Sequence, residues 1–281
     1  MKVLMDPVQP IDTLDLFLPL GRELLTVLRP LEPGDWRRLT ACAPWTVKDV
    51  AAHLLGGSLG RLRERDHSVA NEPSEPIAYN DLLQFINREN GHWVDAAKRI
   101  SPALLMEFLE ITDRALDRHF RNLPPEAPAP ITVAWAGDQL PPNWFDIARE
   151  YTEKWLHQQH IREVVERPLL TQRPWMFPVL DTFLRGLPRT FQDTEGPRGA
   201  SVTMTVEGES GGSWSLVRTD RAWELFVGSD PNAVSQVRLH QDVAWRLFTR
   251  GITRDEARPG IEVLGDARLG ERALNLVAIM A

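Results

Sequence analysis

Glu153-Lys-Trp-Leu-His157 sets a carboxylate and an imidazole four residues apart. On a helix both project from one face, one turn above the other. Such a pair can give two ligands to a divalent ion, although a solvated surface pair is the commoner use of this spacing. His160 lies on the same face, so Glu153, His157 and His160 would need no second helix. Against that triad, a rise of about 1.5 Å per residue separates its outer members by about 10 Å along the axis, while zinc takes ligand atoms only about 2 Å away. A third ligand is therefore expected from elsewhere, with His160 beside the pocket, where it could handle protons, or on the bundle rim. His53 is one candidate. It sits beside the apolar positions Val47, Val50, Leu54 and Leu55, where an imidazole must find partners for its ring nitrogens. A core histidine bonded to a carbonyl is the ordinary outcome there. Gly56 and Gly57 follow on the same side and are expected to leave space above the ring, as a metal with an open coordination position needs. Cys42, the sole cysteine, has no histidine at a motif spacing and reads as a small buried hydrophobe. Arg88, with Asn87, could bind a carboxylate bidentately, although a surface arginine is the plainer reading.

Helices must carry these residues. Leucines at helical spacing run from Thr13 to Leu31, with Pro19 marking a start or a kink. Thr46 to Arg65 follows, opened by Thr46 as N-cap and Asp49 as its capping-box acid. Asn80 to Ile100, Pro102 to Leu123 and Trp144 to Glu166 complete a bundle, whose core is the usual place to assemble a site from facing side chains. Ile131 to Trp135 looks strand-like, and Pro178 to Phe191 is one further helix. Beyond it Ser201 to Val206, Trp214 to Val217 and Ala222 to Val227 alternate, with a turn at Gly211-Gly212, as antiparallel strands do. Asp242 to Arg250 and Ala267 to Met280 read as helices around a strand-like Ile261 to Leu264. The fold class is thus a helical bundle over residues 1–190 followed by a smaller α+β domain over 191–281.

Composition narrows the partners. Of 281 residues, 43% are hydrophobic and 25% charged, and the net charge is −7. The chain should fold without disordered tracts, and cations scattered among acids argue against nucleic acid. No apolar run reaches the roughly 18 residues of a membrane span, and the start lacks the apolar stretch of a signal peptide. A lone cysteine suits a reducing compartment. The expectation is a cytoplasmic protein, monomer or small homo-oligomer, that acts on a small molecule.

The run Trp36-Arg-Arg-Leu-Thr-Ala-Cys-Ala-Pro-Trp-Thr-Val-Lys-Asp-Val-Ala-Ala-His53-Leu, with the later Glu153-Lys-Trp-Leu-His157, resembles the mycothiol-dependent maleylpyruvate isomerase family, a branch of the DinB-like superfamily. Phe85-Ile-Asn87-Arg88 and Gly265-Asp266…Leu269-Gly270 are similar to other stretches of that family, and the second half looks like its C-terminal, sterol-carrier-like domain. The resemblance implies a DinB-like four-helix bundle, zinc or another divalent metal held by His53, Glu153 and His157, and mycothiol or another small thiol as cosubstrate. Asn87 and Arg88 are the expected cofactor-binding residues, and Arg88 and His160 the expected catalytic ones. The function implied is thiol-dependent isomerisation or S-transfer on a small electrophile. The alternatives are a non-catalytic metal- and ligand-binding protein and a metal-assisted hydrolase, whose general base would have to be His160.

Overall fold

The computed structural model describes residues 5–63, 79–130, 135–137 and 140–278. By its internal contacts the chain divides into two compact units. One holds Asp12–Ala127 and Glu150–Leu170, the other the residues up to Ile11, Pro128–Arg149 and those from Thr171 onward. Residues 171–190, read from sequence as part of the bundle, go with the sheet in this division.

The helical unit is built on α1 (Phe17–Leu28), α2 (Val47–Arg63), α3 (Tyr79–Ala97), α4 (Pro102–Arg121) and the greater part of α5 (Asn143–Val164). Pro19 falls in the first turn of α1, where a missing N–H is tolerated, so the helix begins at Phe17 and is not broken. The capping box that opens α2 is formed: Thr46 Oγ1 accepts from Asp49 N at 3.3 Å and Asp49 Oδ2 accepts from Thr46 N at 3.0 Å. Ser101 caps α4 by accepting from Leu104 N, with Pro102 beginning the helix. Leu24, Leu28, Val50, Leu54, Leu105, Leu109 and Ile161 join in one core cluster.

The other unit contains a six-stranded sheet of β1 (Asp6–Pro7), β2 (Ser201–Glu207), β3 (Gly212–Arg218), β4 (Trp223–Val227), β5 (Ser235–His240) and β6 (Ile261–Gly265), in the order β1-β4-β3-β2-β5-β6. Its helices are α6 (Arg173–Leu184), α7 (Leu187–Thr190), α8 (Gln241–Phe248), α9 (Arg254–Ala257) and α10 (Ala267–Ala273). The purely antiparallel expectation is corrected, because β2 and β5 run parallel. β5 escaped the sequence reading although Val237 and Leu239 alternate inward in it. Six residues with only two large apolar side chains make a faint signal.

The single helix expected over Pro178 to Phe191 is α6 and α7. α6 starts five residues earlier, on Pro174 near its N-terminus, and carries Pro178 inside it. Its docking explains why these residues go with the sheet. Trp214 on β3 is buried and donates Nε1–H to Asp181 Oδ1 at 2.8 Å, and Phe177 stacks on the same indole. Gly211 is required where it stands, since a Cβ there would meet the Val206 carbonyl oxygen at 2.1 Å. The strand-like Ile131 to Trp135 lies outside the described residues except for Trp135. No helix among the described residues is long and apolar enough to cross a membrane.

Candidate functional site

The capping box places His53 about two turns into α2, on a stretch where Val50 to Leu55 is buried without a break. Glu153 and His157 lie on α5 at the expected one-turn spacing. Glu153 Oε1 is 3.2 Å from His53 Nε2 and 3.0 Å from His157 Nε2, so one carboxylate oxygen is shared by two imidazoles. All three donor atoms lie within 4.8 Å of one another. Ligands about 2.1 Å from a tetrahedral ion sit about 3.4 Å apart. The two distances to Glu153 Oε1 are close to that, so these three residues could hold a small divalent ion.

The electrostatics point the same way. Burial opposes ionisation of Glu153, but the charge and hydrogen bond of His157, with those of His53, outweigh it and hold the carboxyl well below its usual range. Burial likewise opposes a charge on His157, while Glu153 and Cys42 together raise its pKa to about 10. The arrangement therefore favours an ionised Glu153 beside a protonated His157.

The remaining nitrogens differ. Nδ1 of His53 is buried and has no hydrogen-bond partner among the described residues, while the Trp45 ring lies beside the imidazole, centroids 5.0 Å apart. Nδ1 of His157 faces the Cys42 sulfur at 3.6 Å. The reading of Cys42 as a small hydrophobe is therefore corrected: it is only partly buried, and its sulfur is also 2.9 Å from Nδ1 of His160. His160 thus joins Cys42 and stays out of the Glu153 cluster, as the axial distance required.

The space expected above His53 is absent at Gly56. A Cβ there would meet the Trp93 ring at 2.4 Å, and that indole donates to the Ala52 carbonyl at 2.7 Å. The glycine admits a tryptophan. Asn87 and Arg88 are exposed on α3, and Arg88 pairs with Glu89 at 3.3 Å and lies over the Phe85 ring. Among the described residues, neither makes a hydrogen bond or ion pair with the three candidate ligands.

Residues 17–162, which contain all of these, match the model of the mycothiol maleylpyruvate isomerase N-terminal domain. The chain belongs to that family. In fold it is similar to the crystal structure of a mycothiol-dependent maleylpyruvate isomerase, at 13% identity and TM-score 0.51, with 89% of this chain and 92% of that one covered. A mutant of that enzyme matches at 12% identity with the same coverage and TM-score. The likeness to a chain described as UbiJ-SCP2 ubiquinone synthesis protein, 22% identical over 30% of this chain and 73% of that one, has a TM-score of 0.23 and carries no argument about the sheet. No curated protein matches this chain.

Proposed function

We propose that this protein is a metal-dependent enzyme that uses a low-molecular-weight thiol, mycothiol or a similar one, on a small electrophile, as an isomerase or an S-transferase. The observation that supports this most is the convergence of His53 Nε2, Glu153 Oε1 and His157 Nε2 in a member of this family. Zinc is the proposed ion, and when bound it would keep a coordinated thiol deprotonated at neutral pH, ready to act as a nucleophile. The chain's own residues do the rest. Glu153 stays ionised between the two imidazoles, and its charge leaves about +1 on a divalent ion, which a thiolate neutralises. Trp45 walls the His53 side against water. His160 is the proposed proton carrier, acting through Nε2 because Nδ1 faces Cys42. Arg88, with Asn87, is the proposed partner for a substrate carboxylate, since its ion pair with Glu89 is exposed and readily exchanged.

Elemental analysis of the purified protein is expected to find zinc. Zinc-loaded protein titrated with mycothiol or another small thiol near pH 7 is expected to bind it and release about one proton per thiol. A protein that holds no divalent metal, or a zinc-loaded one that binds no small thiol, would leave the non-catalytic reading in its place.

A further inference from the structure

Cys42 is held in place by its own loop. Its N–H donates to Thr40 Oγ1 at 3.2 Å, its carbonyl accepts from Trp45 N at 2.9 Å, and Thr40 Oγ1 donates to the Trp45 carbonyl at 2.9 Å. Across from it, His157 and His160 stand three residues apart on α5, on neighbouring positions of one face. Their Nδ1 atoms both converge on the one sulfur, at 3.6 and 2.9 Å. The three donor atoms lie within 4.8 Å of one another, as compact a group as His53, Glu153 and His157.

The two groups use opposite edges of one ring. His157 meets Glu153 through Nε2 and Cys42 through Nδ1. The lone pairs of the two imidazole nitrogens diverge, so an ion seated on Nε2 among His53 and Glu153 is out of reach of a sulfur seated against Nδ1. Hydrogen bonding can occupy this cluster, with the thiol donating to one Nδ1 and accepting from the other, but a thiol is a weak donor and a weak acceptor. Thiolate sulfur with two imidazoles is instead a donor set suited to zinc and similar borderline-soft ions.

We propose that Cys42, His160 and Nδ1 of His157 form a second cation site, for one zinc-like divalent ion, with His157 bridging it to the His53–Glu153 site. Loading expels the thiol proton and any proton on the two Nδ1 atoms to solvent, with no change of oxidation state. Three protein ligands leave one position of a tetrahedral shell open. The inference rests on the proposed function only in sharing His157.

The test uses the full chain, freed of metal, dialysed against cobalt(II) with no small thiol present, and read by metal content and absorbance. Wild type should hold about two ions per chain and show a sulfur-to-cobalt charge-transfer band, which an all-nitrogen-and-oxygen site lacks. Cys42→Ser, Cys42→Ala and His160→Ala should each keep about one ion and lose the band. His53→Ala should keep the band with about one ion, and His157→Ala should lose most of both. Circular dichroism checks that each variant folds. One ion and no sulfur band in wild type, or unchanged metal content in Cys42→Ser, overturns the second site. Loss of all metal together with the band in His53→Ala would also overturn it, since Cys42 would then serve the first ion. Failure of the first site alone reads differently: His53→Ala would bind as much as wild type while Cys42→Ser bound less.

Discussion

α3 and α5 are helices of similar length and comparable polarity, 19 and 22 residues, and they treat charge in opposite ways. On α3 and just beyond it, Arg88 with Glu89 and Lys98 with Asp95 are exposed pairs. On α5 several polar groups are buried and partnered. Lys154 Nζ donates to Ser58 Oγ at 2.8 Å and Asp113 Oδ1 at 3.2 Å, Gln158 donates to the Leu20 carbonyl, and Arg162 reaches Glu23 and the Pro168 carbonyl. A helix whose buried face is already hydrogen-bonded holds its side chains still. That is what a site needing three donor atoms at fixed spacing requires of its scaffold. A carboxylate and an imidazole on α3 would lack that support.

Four measurements can break or sharpen this contrast. The largest effect is expected from Lys154→Ala, which leaves Asp113, its side chain only 12% exposed, without its cation. Breaking such a pair costs about 3–5 kcal/mol, readable by urea unfolding, whereas Lys98→Ala on the exposed pair should leave the midpoint where it was. Equal effects would mean that burial does not separate the two helices.

Next is metal affinity. Partners behind a ligand are worth roughly 10–100-fold, so His53→Ala or His157→Ala, which removes a ligand itself, should lower zinc affinity in the first site by more than about 100-fold by competition with a chelator. Glu153→Gln should fall short of that, since an amide oxygen can still coordinate without charge. Gly56→Ala, where α2 receives Trp93 from α3, should cost about 1–3 kcal/mol through overpacking, less up to about 1 kcal/mol returned by helix propensity. A neutral result would show that the indole moves aside. Arg88→Ala is the smallest: stability should change by no more than about 0.5 kcal/mol and metal content not at all. A raised KM with kcat retained would be the mark of carboxylate binding.

The cluster on α5 should also respond to acid and base in the metal-free protein. His157 holds its proton up to about 10 when folded, against about 6.5 in an unfolded chain. Its contribution is complete below about pH 6.5 and lost as pH rises toward 10, and that of Glu153 is present above about pH 4.3 and lost on acidification. Unfolding midpoints across that range should therefore fall at both ends in wild type, and the alkaline fall should vanish in His157→Ala. Zinc loading should flatten the alkaline fall as well, because the ion takes the place of the proton.

Much of the bundle was readable because its signals are local and periodic. The 3.6-residue repeat forces Glu153 and His157 onto one face whatever the rest of the chain does, and Thr46 with Asp49 starts α2 by satisfying backbone groups three residues apart. The run from Trp36 to His53 carried the family, which the match over 17–162 shows. Where a reading needed to know what lies opposite, it failed: Gly56 looked like open space and holds Trp93, and β5 had to pair with β2 to be a strand at all.

Cys42 is the clearest case. Nothing in its neighbourhood repeats, and its partners are 115 and 118 residues away. One signal was available: if α2 and α5 run antiparallel with His53 against Glu153, residues just before α2 must fall a turn or two farther along α5, beside His157 and His160. That inference needs the pairing of the two helices first. The sequence by itself therefore determined which side chains share a helix face, since that follows from the period of one helix. Only the tertiary structure decided that His53 meets Glu153 and that one imidazole has a carboxylate on one edge and a sulfur on the other, because these depend on how separate segments pack.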